Sequence, residues 1–112
     1  MVYVASKMAL SVGAGTTSAD QVTGTYQWVK RGIVKFYALG SATGLTFTLL
    51  HNGMAVANNQ AIPWFGATGG MSKLNNEVLT QAVNDGRLEL YFQNPTGGAL
   101  TVDFILEHIQ TR

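Results

Sequence analysis

Glycine interrupts this chain at short, regular intervals: Gly13 and Gly15, Gly24, Gly32, Gly40, Gly44, Gly53, Gly66, Gly69 and Gly70, Gly86, Gly97 and Gly98. Turn signals arriving roughly every ten residues favour many short strands, as in a sandwich or a barrel. The gaps are filled by strand-loving residues, with twelve threonines and many Val, Ile, Phe and Tyr. A chain of 112 residues suits one domain. The expectation is therefore an all-β domain over residues 1–112, an antiparallel β-sandwich. Residues 1–24 read as an N-terminal strand or arm (the first ten residues) followed by a loop.

Period-two alternation is clearest near the C-terminus. Leu88, Leu90 and Phe92 alternate with Arg87, Glu89, Tyr91 and Gln93, and Leu100, Val102, Phe104 and Leu106 alternate with Thr101, Asp103, Ile105 and Glu107. Such alternation marks half-buried strands. The stretch Asn94-Pro-Thr-Gly-Gly-Ala99 between them forms a turn. As hairpin neighbours, the strands would set Phe92 opposite Val102, Leu90 opposite Phe104, Leu88 opposite Leu106 and Arg87 opposite Glu107. Greek-key wiring would instead place them in different sheets. In either case Leu88, Leu90, Phe92, Val102, Phe104 and Leu106 are the predicted core.

A second hairpin is signalled by Asn52-Gly53, which joins Leu45–His51 to Met54–Ala57. Both turn residues tolerate positive φ. Upstream, Thr25–Lys30 and Ile33–Leu39 read as strands parted at Gly32. Residues 72–83 fit two patterns. Leu74, Val78, Leu79 and Ala82 have helical spacing behind a Ser72 cap, while Glu77–Val83 alternates into the turn Asn84-Asp85-Gly86. A short helix and a strand are equally consistent with it.

Composition narrows the function. Charged residues make up 12% of the chain and the net charge is +1, so the basic stripe of a strong nucleic-acid binder is missing. The absence of cysteine excludes disulfides, thiolate metal sites and a cysteine nucleophile. Met1–Leu10 lacks the basic and apolar regions of a signal peptide, and no run approaches a membrane span. His51 and His108 lack spaced metal-ligand partners. Glu89, Asp103 and Glu107 fall on the polar face of the C-terminal strands; a solvated face balanced by Arg87 explains them better than a glycosidase carboxylate pair. Lys30, Arg31 and Lys35 around Gly32 read as a solvated turn. No nucleophile elbow, phosphate loop or zinc-protease helix is present. No enzyme activity, catalytic residue, cofactor or metal is expected.

The aromatic residues point to contacts. Trp64-Phe65 sits between Pro63 and a glycine-rich stretch, and strand alternation cannot turn both rings inward. Tryptophan serves as an interface anchor and as a sugar-stacking platform. Tyr26 and Trp28 share a strand face and read as core. Ile105 and Ile109 fall on the outer face of their strand, where a monomer gains little from them. The alternative to a contact there is cover by the protein's own residues 1–24.

The strand patterns Leu45-Thr-Phe-Thr-Leu-Leu-His-Asn-Gly53 and Asp85-Gly-Arg-Leu-Glu-Leu-Tyr-Phe-Gln-Asn-Pro-Thr-Gly-Gly-Ala-Leu-Thr-Val-Asp-Phe-Ile105 resemble those of small single jelly-roll structural proteins of viruses and phages. The resemblance spans residues 25–109. It implies a single jelly roll and a self-assembling capsid, vertex or decoration subunit, located in the virion and assembled in the host cytoplasm. Homo-oligomerisation follows, with other capsid proteins as further partners, no specific nucleic acid and no membrane span. Sparse charge agrees with extensive subunit contact, because each ion buried at an interface needs a partner. The expected interface residues are Trp64, Phe65, Ile105 and Ile109. The rival reading is a carbohydrate-binding β-sandwich that uses Trp64 or Trp28 as a stacking platform.

Overall fold

The computed structural model describes residues 2–22, 27–63 and 77–110. These residues form two antiparallel sheets, packed as a sandwich. The strands are β1 (Val2–Val12), β2 (Thr16–Thr17), β3 (Trp28–Val29), β4 (Gly32–Gly40), β5 (Thr46–His51), β6 (Met54–Ala61), β7 (Glu77–Val83), β8 (Gly86–Asn94) and β9 (Leu100–Gln110). The front sheet has the order β1-β9-β4-β7. The back sheet has the order β2-β8-β5-β6, with β3 also on β8. Apart from the β5–β6 hairpin, β2 and β3, which both pair with β8, each strand is followed by one in the opposite sheet. This order is compatible with a single jelly roll.

The alternation of β8 and β9 is as expected, and Leu88, Leu90, Phe92, Val102, Phe104 and Leu106 are all buried in one core. Their pairing is not that of a hairpin. β8 pairs with β5 and β9 pairs with β4, so the two strands lie in opposite sheets. Phe92 stands beside Phe47, and Phe104 beside Ala38. Arg87 and Glu107 are therefore not cross-strand neighbours. Arg87 reaches Glu89 at 3.1 Å and Asp20 at 3.6 Å, while Glu107 stands opposite Lys35. A period of two assigns faces, not partners, and two strands with matching apolar faces can meet across a core as readily as along an edge.

Four phenylalanines occupy the centre. Phe36 lies 4.5 Å from Phe47 and 6.1 Å from Phe92, measured between ring centroids, and Phe92 lies 5.0 Å from Phe104. Tilted rings at these separations gain attraction beyond their burial. Each buried phenylalanine contributes about 1.5–3 kcal/mol, against about 0–1 kcal/mol for a partly exposed ion pair such as Arg87–Glu89. Packing, not charge, holds the sheets together.

The Asn52-Gly53 hairpin forms as expected, with φ of 53° and 79° at its two turn residues. Glu77–Val83 is a strand, paired with β4; residues 72–76 lie outside the described residues. Residues 11–22, expected to be part of a loop, do more than connect: β1 continues to Val12, and Thr16 and Thr17 pair with Gln93 and Asn94. Of the expected strand Thr25–Lys30, Trp28 and Val29 pair with Arg87 and Gly86, while residues 25 and 26 lie outside the described residues. Between those two short strands, side chains take over the edge of β8. Ser18 Oγ accepts from the Phe92 N–H at 2.9 Å, and Asp20 Oδ1 accepts from the Leu90 N–H at 3.0 Å.

Edge strands carry the irregularities. The register shifts in β1, β6 and β7 all place the additional residue on the strand at the sheet border. Ala9 and Asn59 take φ of 55° and 49° in these stretches, and the Ala9 N–H donates to Asp103 Oδ1 at 2.7 Å. The fourth border is the broken β2/β3 strand. Bulges and interruptions of this kind suppress strand-to-strand aggregation.

Two stability measurements check this packing. Phe104→Ala is expected to cost about 3–5 kcal/mol in denaturant titration; a near-neutral result would contradict the burial. Gly32 is pressed so closely on β9 that an added Cβ would lie 2.2 Å from the Ile109 carbonyl oxygen, whereas Gly97 has open space. Gly32→Ala should cost about 1–3 kcal/mol or more and Gly97→Ala much less. Equal effects would contradict the close approach of β4 and β9.

Candidate functional site

The sandwich presents two outer faces of different chemistry. On the front sheet, the outward positions of β4 and β9 pair as Ile33 with Ile109, Lys35 with Glu107, Tyr37 with Ile105, and Leu39 with Asp103. Tyr37, Leu39 and Glu107 are buried, while Ile33, Ile105 and Ile109 are half-buried. Ile33 also pairs with the exposed Ala82 of β7. An apolar strip, Ile109–Ile33–Ala82, therefore crosses three strands. Beside it an open recess of about 300 Å3 is lined by Arg31, Gly32, Ile33, Ala82, Val83 and Asn84.

Of the expected interface residues, Ile105 and Ile109 thus share the outer front face. Trp64 and Phe65 lie outside the described residues. Cover of this face by residues 1–24 is not seen in their described part. β1 lies beside β9 within the front sheet, residues 16–21 run along β8 in the back sheet, and Val4, Leu10, Val12 and Val22 enter the core.

Among the described residues the outer back face carries one exposed aromatic ring in a largely polar setting, with half-buried Leu50 and exposed Ala55 in register with Glu89. Trp28, expected in the core, is 63% exposed. Its neighbour Val29 is buried, so in a two-residue strand Trp28 must point the other way. Trp28 stands opposite Arg87 in the register. The guanidinium of Arg87 is held from three sides: Nε donates to Gln27 Oε1 at 3.1 Å, Nη1 meets Glu89 at 3.1 Å, and Nη2 meets Asp20 at 3.6 Å. Tyr91 donates its hydroxyl to Glu89 Oε1 at 3.4 Å. Further along, Gln93 Nε2 donates to Thr48 Oγ1 at 3.0 Å and Thr46 Oγ1 donates to Gln93 Oε1 at 3.1 Å.

The three acids expected on one polar face are divided between the two sides of the sandwich. Glu89 is on the back face, and Asp103 and Glu107 are on the front. Asp103 Oδ1 is taken by the Ala9 N–H. The histidines serve the loops at one end: Nε2 of His51 donates to the Asn84 carbonyl at 2.9 Å, and Nε2 of His108 to the Lys30 carbonyl at 2.7 Å. Lys30 and Arg31 are exposed in the β3–β4 turn, while Lys35 sits apart on the front face. Among the described residues no three His, Asp or Glu side chains converge as a metal-binding group, and no helix is long and apolar enough to cross a membrane. No known protein family and no curated protein matches the sequence.

The back face has a measurable electrostatic signature. Burial, followed by the negative charges of Glu89 and Asp20 and the hydrogen bond to Glu89, holds the Tyr91 hydroxyl above the usual tyrosine value; Arg87 opposes this. Tyr91 should therefore ionise above pH 10, and Glu89→Gln should lower its midpoint. A raised folded-state pKa means that its contribution to stability is complete below the unfolded value and is lost as pH rises through the folded one. Site-resolved NMR titration checks this. A midpoint that is not raised, or one unmoved by Glu89→Gln, would contradict the arrangement.

Proposed function

We propose that the chain is a non-catalytic structural subunit of a virus or phage particle, a capsid, vertex or decoration protein that assembles with copies of itself. Other capsid proteins are its further partners, the host cytoplasm is its place of assembly and the virion its destination. The observation that carries this reading is the apolar strip Ile109–Ile33–Ala82 on the outer front face, beside the recess at Arg31 and Asn84. Burying an isoleucine that is half-exposed in the monomer gains free energy in proportion to the apolar area covered.

Two further features support it. The strand order is compatible with the jelly roll that the sequence patterns resemble. The sheet borders are bulged or broken, which disfavours growth by strand addition and leaves face-to-face contact as the route to association. Trp64 and Phe65 join Ile105 and Ile109 as proposed contact residues on sequence grounds.

Analytical ultracentrifugation of the wild-type chain with Ile105→Asp and Ile109→Asp tests the proposal. The expected result is a wild-type oligomer, with the variants falling to the mass of one 12.0 kDa chain and retaining their strand signal in circular dichroism. A wild-type chain that stays monomeric at micromolar concentrations, or an oligomer indifferent to both substitutions, would overturn it.

A further inference from the structure

Trp28 has no role in the core, and the assembly reading does not use it. We propose that Trp28 and the side chains around Arg87 form a binding site for a neutral saccharide on the outer back face. The pyranose ring would stack on the indole, and its hydroxyls would bond to the polar groups beside it.

The chemistry of the surroundings selects this class of ligand. A protein-contact core gathers several apolar residues that are fully desolvated together. Among the described residues Trp28 is instead the one exposed aromatic residue, opposite Arg87, on a face that continues through Glu89, Tyr91 and Gln93. A pyranose matches such a surface, because it offers one apolar C–H face of ring size and a rim of hydroxyls that both donate and accept.

The groups beside Trp28 are also preorganised. Gln27, Glu89 and Asp20 fix the Arg87 fork without using all of its N–H groups. Side chains already locked by one another lose little further freedom on binding. Charge completes the selection. One guanidinium faces two carboxylates, Asp20 and Glu89, so the cluster carries one net negative charge. It disfavours phosphate, sulfate and carboxylate ligands and accepts uncharged ones. The site lies on the opposite side of the sandwich from Ile105 and Ile109, so a copy docked on the front face leaves it open.

Isothermal titration of the full chain in its native assembly state with lactose, cellohexaose, maltohexaose and 3′-sialyllactose provides the test. The expected result is saturable binding of at least one neutral probe. Trp28→Ala should weaken that binding at least about tenfold, the change in dissociation constant that about 1.4 kcal/mol produces. Sialyllactose should bind more weakly than lactose. Glu89→Gln, which loosens the Arg87 clamp but leaves the indole in place, should also reduce affinity and serves as the second variant should Trp28→Ala fail to fold. The proposal is overturned if no neutral probe binds at millimolar concentration, or if binding ignores the substitutions. It is also overturned if Trp28→Ala dissociates the oligomer while no sugar binds, which would make the indole a protein contact. Front-face variants test assembly and back-face variants test this site, so either reading can fail alone.

Discussion

Four phenylalanine rings at the centre of the sandwich set the geometry of everything around them. Phe36 and Phe104 come from the front sheet, and Phe47 and Phe92 from the back. Their centroids lie 4.5 to 6.4 Å apart. Successive strands supply facing rings, β4 and β5 in one pair and β8 and β9 in the other. The chain must therefore cross the core between them, and it cannot fold back as a simple hairpin. Once those crossings are fixed, the outward residues of β8 and β9 belong to opposite sides of the molecule.

That separation explains how one short chain carries two unlike surfaces. The front face inherits Ile33, Ile105 and Ile109 from the central strands β4 and β9. The back face inherits Arg87, Glu89, Tyr91 and Gln93 from β8, together with Trp28 from the strand fragment at its border. The sheet borders contribute by exclusion. Bulges on β1, β6 and β7, and side-chain oxygens of Ser18 and Asp20 capping β8, leave little regular backbone for another strand to join. Under the proposed assembly such borders favour contact through faces, and the two faces differ in chemistry.

Much of this was legible in the residues. Alternation located β8, β9 and the six core positions, and Asn52-Gly53 located the β5–β6 hairpin, because both signals are local. What was hidden depended on distant parts of the chain. A hairpin register would bring Glu107 to Arg87; the placement of β8 and β9 in opposite sheets removes it, and Arg87 meets Glu89 on its own strand and Asp20 from the segment along β8. Tyr26 lies outside the described residues; for Trp28, period two leaves the face open, and the burial of Val29 against the core turns it outward. The role of residues 16–21 was invisible because their pairing with β8 is made partly by side chains, which leave no periodic trace. At Glu77–Val83 the helical and strand patterns coexist in the sequence, and pairing with β4 settles the choice.

The most direct test of the crossed core is a set of nuclear Overhauser contacts in isotope-labelled protein. The structure predicts ring contacts between Phe92 and Phe104. It also predicts backbone contacts from Phe92 to Phe47 and from Phe104 to Ala38, the partners in their own sheets. Backbone contacts between Phe92 and Val102, as in a β8–β9 hairpin, would contradict the sandwich and, with it, the division into two outer faces.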